Sequence, residues 1–199
     1  MLRETKTIYL REFELADAET LFKNFNDPEI ISRMDLDINP KKLTLAEEKN
    51  WIEKTRKEYT QPERENYNLA IMVELEIENI YKQKTMKELV GGIGAHKIDY
   101  KEGVAEICYW VDKNHQGRGY ATAAINIFCD KWLFERFKTV KAEVFDYNLA
   151  SQNVLRNAGF RCTKKRLNEE TGSYDLFYEK DNPLLNRKFL FKKIMIGTA

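Results

Sequence analysis

The feature that most constrains this chain is a glycine-rich turn, Gln116-Gly-Arg-Gly-Tyr-Ala121, between a strand-like run at 107–111 and an amphipathic helix that begins near Tyr120. Such a turn leaves several backbone N–H groups unpaired at the positive end of a helix dipole, which suits a bound anion. Glycine lets the anion approach the main chain closely and permits dihedral angles that other residues disfavour. The sequence therefore predicts a strand–turn–helix unit that binds phosphate.

Composition indicates a globular protein with a full core. The chain has 199 residues, of which 43% are hydrophobic and 12% aromatic, so one domain is expected. Its formal net charge of +1 gives no electrostatic case for nucleic-acid binding, which we regard as unlikely on this ground. No signal-peptide core is present at the N-terminus and no apolar run approaches about 20 residues, so no membrane association is expected.

The cysteine and histidine content argues against disulfides and metal. The three cysteines are widely spaced and odd in number, which favours reduced thiols and a cytoplasmic location. The chain has only two histidines and no Cys-x-x-Cys pair, so no metal site is expected. His115, just before the turn, could approach the phosphate, but it is interpreted as a surface loop side chain.

Hydrophobic periodicity predicts a layered domain in which strands and helices are mixed, of the α/β (α+β) class. Residues 76–88 are polar and read as an exposed excursion between strands. We assign 1–182 to one domain and 183–199 to a C-terminal extension that adds an element or contacts a second chain, as in a homodimer. The predicted strands are 7–13, 67–75, 89–98, 105–111, 139–145, 160–167 and 174–180, and the predicted helices are 15–27, 44–59, 120–132 and 148–157.

The order of these motifs resembles the GCN5-related N-acetyltransferase (GNAT) superfamily, and within it the RimJ/RimL-type branch of ribosomal-protein N-acetyltransferases. The resemblance runs from about Ile8 to Tyr178 and implies a mixed, twisted sheet of about seven strands flanked by about four helices. The segments that carry it are Gln116-x-x-Gly119-x-Ala121, Glu106-Ile-Cys-Tyr-Trp-Val111, Asn148-Leu-Ala-Ser151 and Gly159-Phe160.

The resemblance implies that acetyl-CoA is the ligand of the turn. Its pyrophosphate would bind the backbone amides of Gln116, Gly117, Arg118, Gly119, Tyr120 and Ala121. Its pantetheine would pair with the main chain of Tyr109, Trp110 and Val111, as if it were another strand. Asn148 is expected to contact the cofactor while also capping a helix, and Asn153 is a further candidate on the same helix.

Acetyl transfer to an amine needs a base for the ammonium proton and an acid for the leaving thiolate. By its position on the strand, Glu106 is the candidate base if it faces the cleft, and only a surface charge otherwise. The resemblance makes Ser151 the candidate acid, although it also fits as an ordinary first-turn serine. Many superfamily members place a tyrosine seven residues after the asparagine, where this chain has Leu155. Their tyrosine mechanism therefore cannot be transferred.

The acceptor implied by the branch is a protein N-terminal α-amine, with a small amine such as a polyamine as the runner-up. Asp35 and Asp37, in the loop expected to shape the acceptor cleft, would attract a cationic substrate or serve only as turn residues. A catalytically silent module that binds acyl-CoA is the alternative function, since the strongest motifs concern only the cofactor.

Overall fold

The described residues form a seven-stranded sheet with helices on both faces. The computed structural model describes residues 3–31, 43–79, 82–169 and 172–185. The strand order across the sheet is β1-β2-β3-β4-β5-β7-β6. The strands are β1 (Arg3–Arg11), β2 (Tyr67–Asn79), β3 (Lys82–Asp99), β4 (Val104–Val111), β5 (Thr139–Phe145), β6 (Arg161–Leu167) and β7 (Tyr174–Asp181). The helices are α1 (Ala18–Phe25), the single turn α2 (Pro28–Ile31), α3 (Leu45–Glu58), α4 (Tyr120–Phe128) and α5 (Leu149–Asn157). The predicted fold class is confirmed.

Alternation along the strands divides the core between two faces of the sheet. On β2, Ile71 packs with α4 and α5, whereas its neighbour Met72 packs with α1 and α3. The larger cluster includes Phe128 of α4 and Leu155 of α5, and both side chains are fully buried. Helices on opposite faces therefore bury the sheet from both sides.

Strands β4 and β5 form the one parallel pair among the described strands, and they part soon after they meet. Their pairing covers Val104 with Thr139, Ala105 with Val140, and Glu106 with Lys141. Beyond Glu106, β4 pairs on its other side with β3, while β5 continues alongside β7. The facing edges of residues 107–111 and 142–145 consequently border a wedge-shaped cleft.

A bulge and the close approach of two strands at Gly91 shape the sheet beside this cleft. The register between β2 and β3 shifts so that Ile71 faces Gly91 while Met72 faces Leu89, which leaves Val90 as the extra residue. A Cβ on Gly91 would clash with the Trp110 carbonyl oxygen. The close approach of β3 to β4 therefore requires glycine there.

The prediction that 76–88 forms an excursion between strands was wrong, whereas its expected exposure holds at residues 84–88. Pairing of β2 with β3 continues through this segment, with Leu75 opposite Met86 and Asn79 opposite Lys82. Residues 74–78, Glu-Leu-Glu-Ile-Glu, alternate charged and apolar side chains as a strand does, but the segment was interpreted from its high charge alone. Glu74 also lies 3.3 Å from Lys87 of the neighbouring strand. Opposite charges on paired strands thus stabilise a long hairpin that is nonetheless polar.

Most other predicted boundaries hold within one or two residues, with three corrections. The first strand is Arg3–Arg11 rather than 7–13, the first helix is Ala18–Phe25 rather than 15–27, and α4 ends at Phe128 rather than at 132. The capping box of α3 forms, because Thr44 and Glu47 exchange both of its hydrogen bonds. Gly159 ends α5 with a φ of +84°. Among the described residues, no helix has the length and apolarity needed to cross a membrane.

Candidate active site

The glycine turn forms an open cradle at the N-terminus of α4. Gly117 and Gly119 have φ values of +72° and +78°, which favour glycine. A Cβ at either position would meet no atom within 4 Å, so the space in front of both is open. The Ala123 amide donates to the Gly119 carbonyl at 3.1 Å. The preceding helical amides therefore lie at the exposed end of the dipole, in an arrangement that fits a pyrophosphate.

The side chains of the turn divide into exposed and buried ones. Arg118 is exposed, whereas Tyr120 is 3% and Ala121 9% exposed, so these two offer backbone amides only. Gln116 Nε2 donates to the Val111 carbonyl at 3.0 Å. That carbonyl, one of the predicted main-chain partners of the cofactor, is thus already hydrogen-bonded. The Trp110 ring packs toward α1, 5.3 Å from the Phe25 ring.

The cleft between β4 and β5 is bridged by Tyr109 and Ser151. The Tyr109 hydroxyl lies 2.7 Å from Ser151 Oγ and 3.3 Å from the Ser151 carbonyl. Burial raises the pKa of Tyr109 to about 12, although the hydrogen bond with Ser151 acts in the opposite direction. The phenol therefore keeps its proton across the neutral range.

The start of α5 is fixed by its cap. Asn148 Oδ1 accepts a hydrogen bond from the Ser151 amide at 3.1 Å, as predicted for an N-cap. Asn153 is exposed, and its Oδ1 accepts from Arg156 on the outer surface of the helix. The structure thus brings Asn148 and Ser151 to the cleft, whereas Asn153 points to a neighbour on its own helix.

Glu106 lies on the opposite face of β4 from Tyr109, whose hydroxyl contacts Ser151, so the two candidate catalytic residues lie on different sides of the sheet. Its carboxylate is 2.7 Å from Lys97 Nζ and 3.3 Å from His96 Nε2. Burial favours a higher pKa for Glu106, but hydrogen bonds from His96 and Lys97 outweigh burial and hold it below its usual value. Glu106 is therefore ionised at neutral pH and half-buried rather than a free surface charge.

The contacts of His96 and Lys97 with Glu106 were not predicted from the sequence. There, His96 entered only the argument that no metal site is expected. Hydrogen bonds to Cys108 and Glu106 raise the pKa of His96 to about 9. Lys97 has a φ of +47°, an uncommon backbone conformation for a residue other than glycine. The signal that could have revealed the pair is the cross-strand register, because His96 lies directly opposite Glu106.

The interpretation of His115 as a surface side chain was wrong. Only 14% of its side chain is exposed, because it lies between two carboxylates, 3.2 Å from Glu88 and 3.5 Å from Asp112. It borders an open cavity of about 620 Å³ beside the glycine turn. Asp35 and Asp37 lie outside the described residues, and the described residues hold no His, Cys, Asp and Glu group suited to a metal ion.

Comparisons with known proteins agree with this geometry. A family model described as an acetyltransferase (GNAT) domain matches residues 7–161. The uncharacterized N-acetyltransferase p20 of Bacillus licheniformis is 25% identical over 158 residues, covering 79% of this chain and 80% of that protein. The spermidine N-acetyltransferase of Vibrio cholerae, solved with CoA and spermine, superposes with a TM-score of 0.66 at 18% identity, covering 88% of this chain and 95% of that one.

RimL, the ribosomal L7/L12 α-N-protein acetyltransferase solved with coenzyme A, also has a TM-score of 0.66, at 17% identity, with 88% of this chain and 94% of that chain covered. At these identities the two solved structures establish the shared fold, and the family match over most of the chain establishes descent. The cradle, the cleft and the matched family together show that this chain belongs to the GNAT acetyltransferase family, whose cosubstrate is acetyl-CoA and whose reaction is transfer of the acetyl group to an amine.

Proposed function

We propose that this chain acetylates the α-amine of a protein N-terminus, using acetyl-CoA held in the cleft between β4 and β5. The observation that carries the proposal is the parting of β4 from β5 directly after Glu106 and Lys141. It leaves a strand-wide opening between the glycine cradle at one end and the first turn of α5 at the other. A linear thioester with a charged pyrophosphate suits an opening of this shape.

The cosubstrate would be held mostly by the main chain. Backbone amides at 117–121 would take the pyrophosphate, with Arg118 adding a positive charge from an exposed position. The free edge of β4 at Tyr109 and Trp110 would pair with pantetheine in the manner of strand addition. Asn148 would contact it from the cap of α5. Bound acetyl-CoA supplies an acetyl carbonyl activated by its thiol leaving group.

Proton transfer would be divided between the two faces of β4. A free α-amine has a pKa near 8 and is largely protonated at neutral pH, so a group that accepts its proton speeds attack. Glu106 is the candidate for this, directly or through water, because it is ionised and lies on the face opposite Ser151. Ser151 is the candidate donor to the departing thiolate. Each role is a proposal to be tested separately.

An exposed apolar rim supports a polypeptide acceptor. Four large side chains surround the end of β5 at the mouth of the cleft and are between 38% and 65% exposed: Tyr147, Leu149, Leu167 and Tyr174. The Asp146 amide donates to the Tyr174 carbonyl. This hydrogen bond connects the loop after β5, which carries Tyr147, to the β6–β7 hairpin. Such a rim suits the apolar side chains of an extended peptide better than a small, strongly hydrated cation.

The decisive experiment is mass spectrometry of an amine panel incubated with acetyl-CoA. The panel contains peptides with a free α-amine, the same peptides with that amine blocked and an internal lysine free, spermidine, and an aminoglycoside. Acetylation of the free-α-amine peptides alone is the expected result. Modification of spermidine or the aminoglycoside alone would replace the acceptor by a small amine. Tight acetyl-CoA binding with no product from any amine would favour the silent module.

A further inference from the structure

We propose that Tyr109 is a positioning residue for the proton donor Ser151, because its hydroxyl donates to Ser151 Oγ and thereby aims the serine proton into the cleft. The inference rests on the proposed function, since it concerns the thiolate that acetyl transfer releases. It assigns the Tyr109 side chain a role beyond the main-chain pairing already given to this residue.

The geometry places the serine oxygen between two elements. Tyr109 reaches it from β4 at 2.7 Å, while the Ser151 amide is fixed to Asn148 Oδ1 at 3.1 Å within α5. Tyr109 lies three residues beyond Glu106, where the β4–β5 pairing ends, and so belongs to the open part of the cleft. Ser151 is the single hydroxyl-bearing residue in α5. A proton donor on this helix therefore depends on how that one side chain is held.

The direction of the hydrogen bond follows from the acidity of the two groups. A phenol, with an ordinary pKa near 10, is a much stronger acid than an alkyl alcohol and is the better donor between them. Burial keeps the Tyr109 proton in place at neutral pH, as its raised pKa indicates. When Tyr109 donates, the serine oxygen acts as acceptor and its own proton is free to point elsewhere. The open side is the cleft.

The proton balance of the proposed step is closed. The amine nitrogen bonds to the acetyl carbon, the carbon–sulfur bond breaks, and the sulfur takes the Ser151 proton. The proton lost from the amine nitrogen returns through solvent to Ser151 Oγ, while Tyr109 keeps its own proton and its hydrogen bond to that oxygen. The protein therefore ends in its starting state.

Helix α5 has no second hydroxyl group that could donate a proton to the thiolate. Leu155, one turn beyond Ser151, is fully buried in the core. The tyrosine hydroxyl next to Ser151 comes instead from the neighbouring strand. This arrangement separates the roles, because α5 supplies the donor oxygen and β4 sets its orientation.

The test is Tyr109→Phe, which keeps the ring and removes only the hydroxyl. With CoA alone, the ultraviolet absorbance of the thiolate gives the pKa of the bound thiol. We expect this pKa to rise by about 0.5–1 unit in the variant, because the serine proton no longer stabilises the thiolate. With a peptide that carries a free α-amine, kcat should fall about tenfold while KM for acetyl-CoA changes little.

Tyr100→Phe is the matched control. Its hydroxyl also makes hydrogen bonds, at 2.7 and 2.9 Å to the Arg64 main chain, but at the far end of β4. It should lower thermal stability without moving the thiol pKa or kcat. The Tyr109→Phe, Ser151→Ala double variant should be no slower than Ser151→Ala, because the two act as a unit.

Tyr109→Phe that lowers only the melting temperature, with thiol pKa and kcat unchanged, would overturn the proposal and leave Tyr109 as a tether between β4 and α5. Additive losses in the double variant would also overturn it. The thiol titration needs no acceptor, so it still gives an answer if no amine in the panel is acetylated. Failure of the proposed function and failure of this inference are therefore distinguishable.

Discussion

Single residues at this site are defined by two different constraints, backbone conformation and electrostatic pairing. Gly117 and Gly119 are required by their positive φ values, which the local sequence pattern already indicated. His96 and Lys97 are defined by the carboxylate they share, Glu106, and that contact exists only once β3 lies beside β4. The first kind of residue is predictable from sequence, whereas the second is not.

Gly119→Ala should weaken acetyl-CoA binding at least tenfold, because the new methyl group enters the open space where the pyrophosphate is proposed to lie. Gly172→Ala is the matched control, since Gly172 has a φ of +68° and equally open surroundings but lies in the β6–β7 turn. Both changes should cost about 1–2 kcal/mol of stability from backbone strain. Calorimetry measures the affinity, and equal affinities for the two variants would contradict the cradle assignment.

Glu106→Gln should lower the pKa of His96 from about 9 toward 6.5, because one of the two hydrogen-bonded partners that raise it loses its charge. A pH titration of the histidine ring signals by NMR measures this. Glu143→Gln removes a nearby carboxylate that contacts Lys97 and Arg166, and should shift His96 less. An unchanged His96 titration in Glu106→Gln would disprove the coupling.

The same coupling has a consequence for stability. The folded-state pKa of His96 lies above its unfolded value, so its contribution is complete below about pH 6.5 and disappears as the pH rises through about 9. Glu106→Gln should therefore reduce the free energy of unfolding at pH 6 more than at pH 9.5. Chemical denaturation at the two pH values gives the comparison, and a larger loss at pH 9.5 would be inconsistent with it.

At the scale of elements, the sequence predicted best the bounds of those elements that carry clear local signals. The sequence predicted α5 and β5 with their observed bounds, because an asparagine cap, a C-terminal glycine and a strict alternation mark them. The predicted length of the β2–β3 hairpin was too short because the alternating residues in its outer part are mostly charged. The register between these strands, and not their hydrophobicity, extends them.

Asn148→Ala should destabilise the protein by about 1 kcal/mol through loss of the α5 cap, and should also weaken acetyl-CoA binding. Thr44→Ala is a matched cap deletion at α3, remote from the cleft, that should cost similar stability without changing the affinity. Denaturation and calorimetry on both variants separate the two roles of Asn148. If the two affinities agree, Asn148 is a cap only.

Glu48→Gln should stabilise the protein by about 1–3 kcal/mol at pH 8 and hardly at pH 4.5. Glu48 is 3% exposed, and burial raises its pKa to about 7, with Glu47 adding to the effect. The folded state therefore prefers the neutral acid, so the cost of ionisation appears as the pH rises from about 4.5 to 7. Glu53→Gln, at an exposed position of α3, should have no comparable effect. Equal gains at both pH values would contradict the raised pKa.

At the scale of the whole molecule, the sheet connects the cradle and the cleft into one binding surface. The domain limits of 1–182, the extension at 183–199 and a homodimer stay predictions, and residues 186–199 lie outside the described part of the chain. The expectation that the chain does not bind nucleic acid and the expected cytoplasmic location also stay predictions.

CoA at 100 times its dissociation constant should raise the free energy of unfolding by about 2.7 kcal/mol, and the melting temperature by about 5–10 °C. ADP at an equal concentration should give a smaller shift, because it has a pyrophosphate for the cradle but no pantetheine for the cleft. Thermal denaturation with each ligand provides the measurement. Equal shifts would mean that the cleft contributes nothing to binding.

The sequence by itself determined the elements whose signals are local: the glycine turn, the caps, the period-two strands, and through the resemblance the family and its cosubstrate. The tertiary structure alone decided how β4 separates from β5, that Tyr109 meets Ser151, and that His96 and Lys97 hold Glu106 in its ionised form. The physical reason is the distance along the chain over which each interaction acts. Dihedral preference and capping act within a few residues, whereas strand separation and cross-strand pairing depend on residues that are distant in the chain.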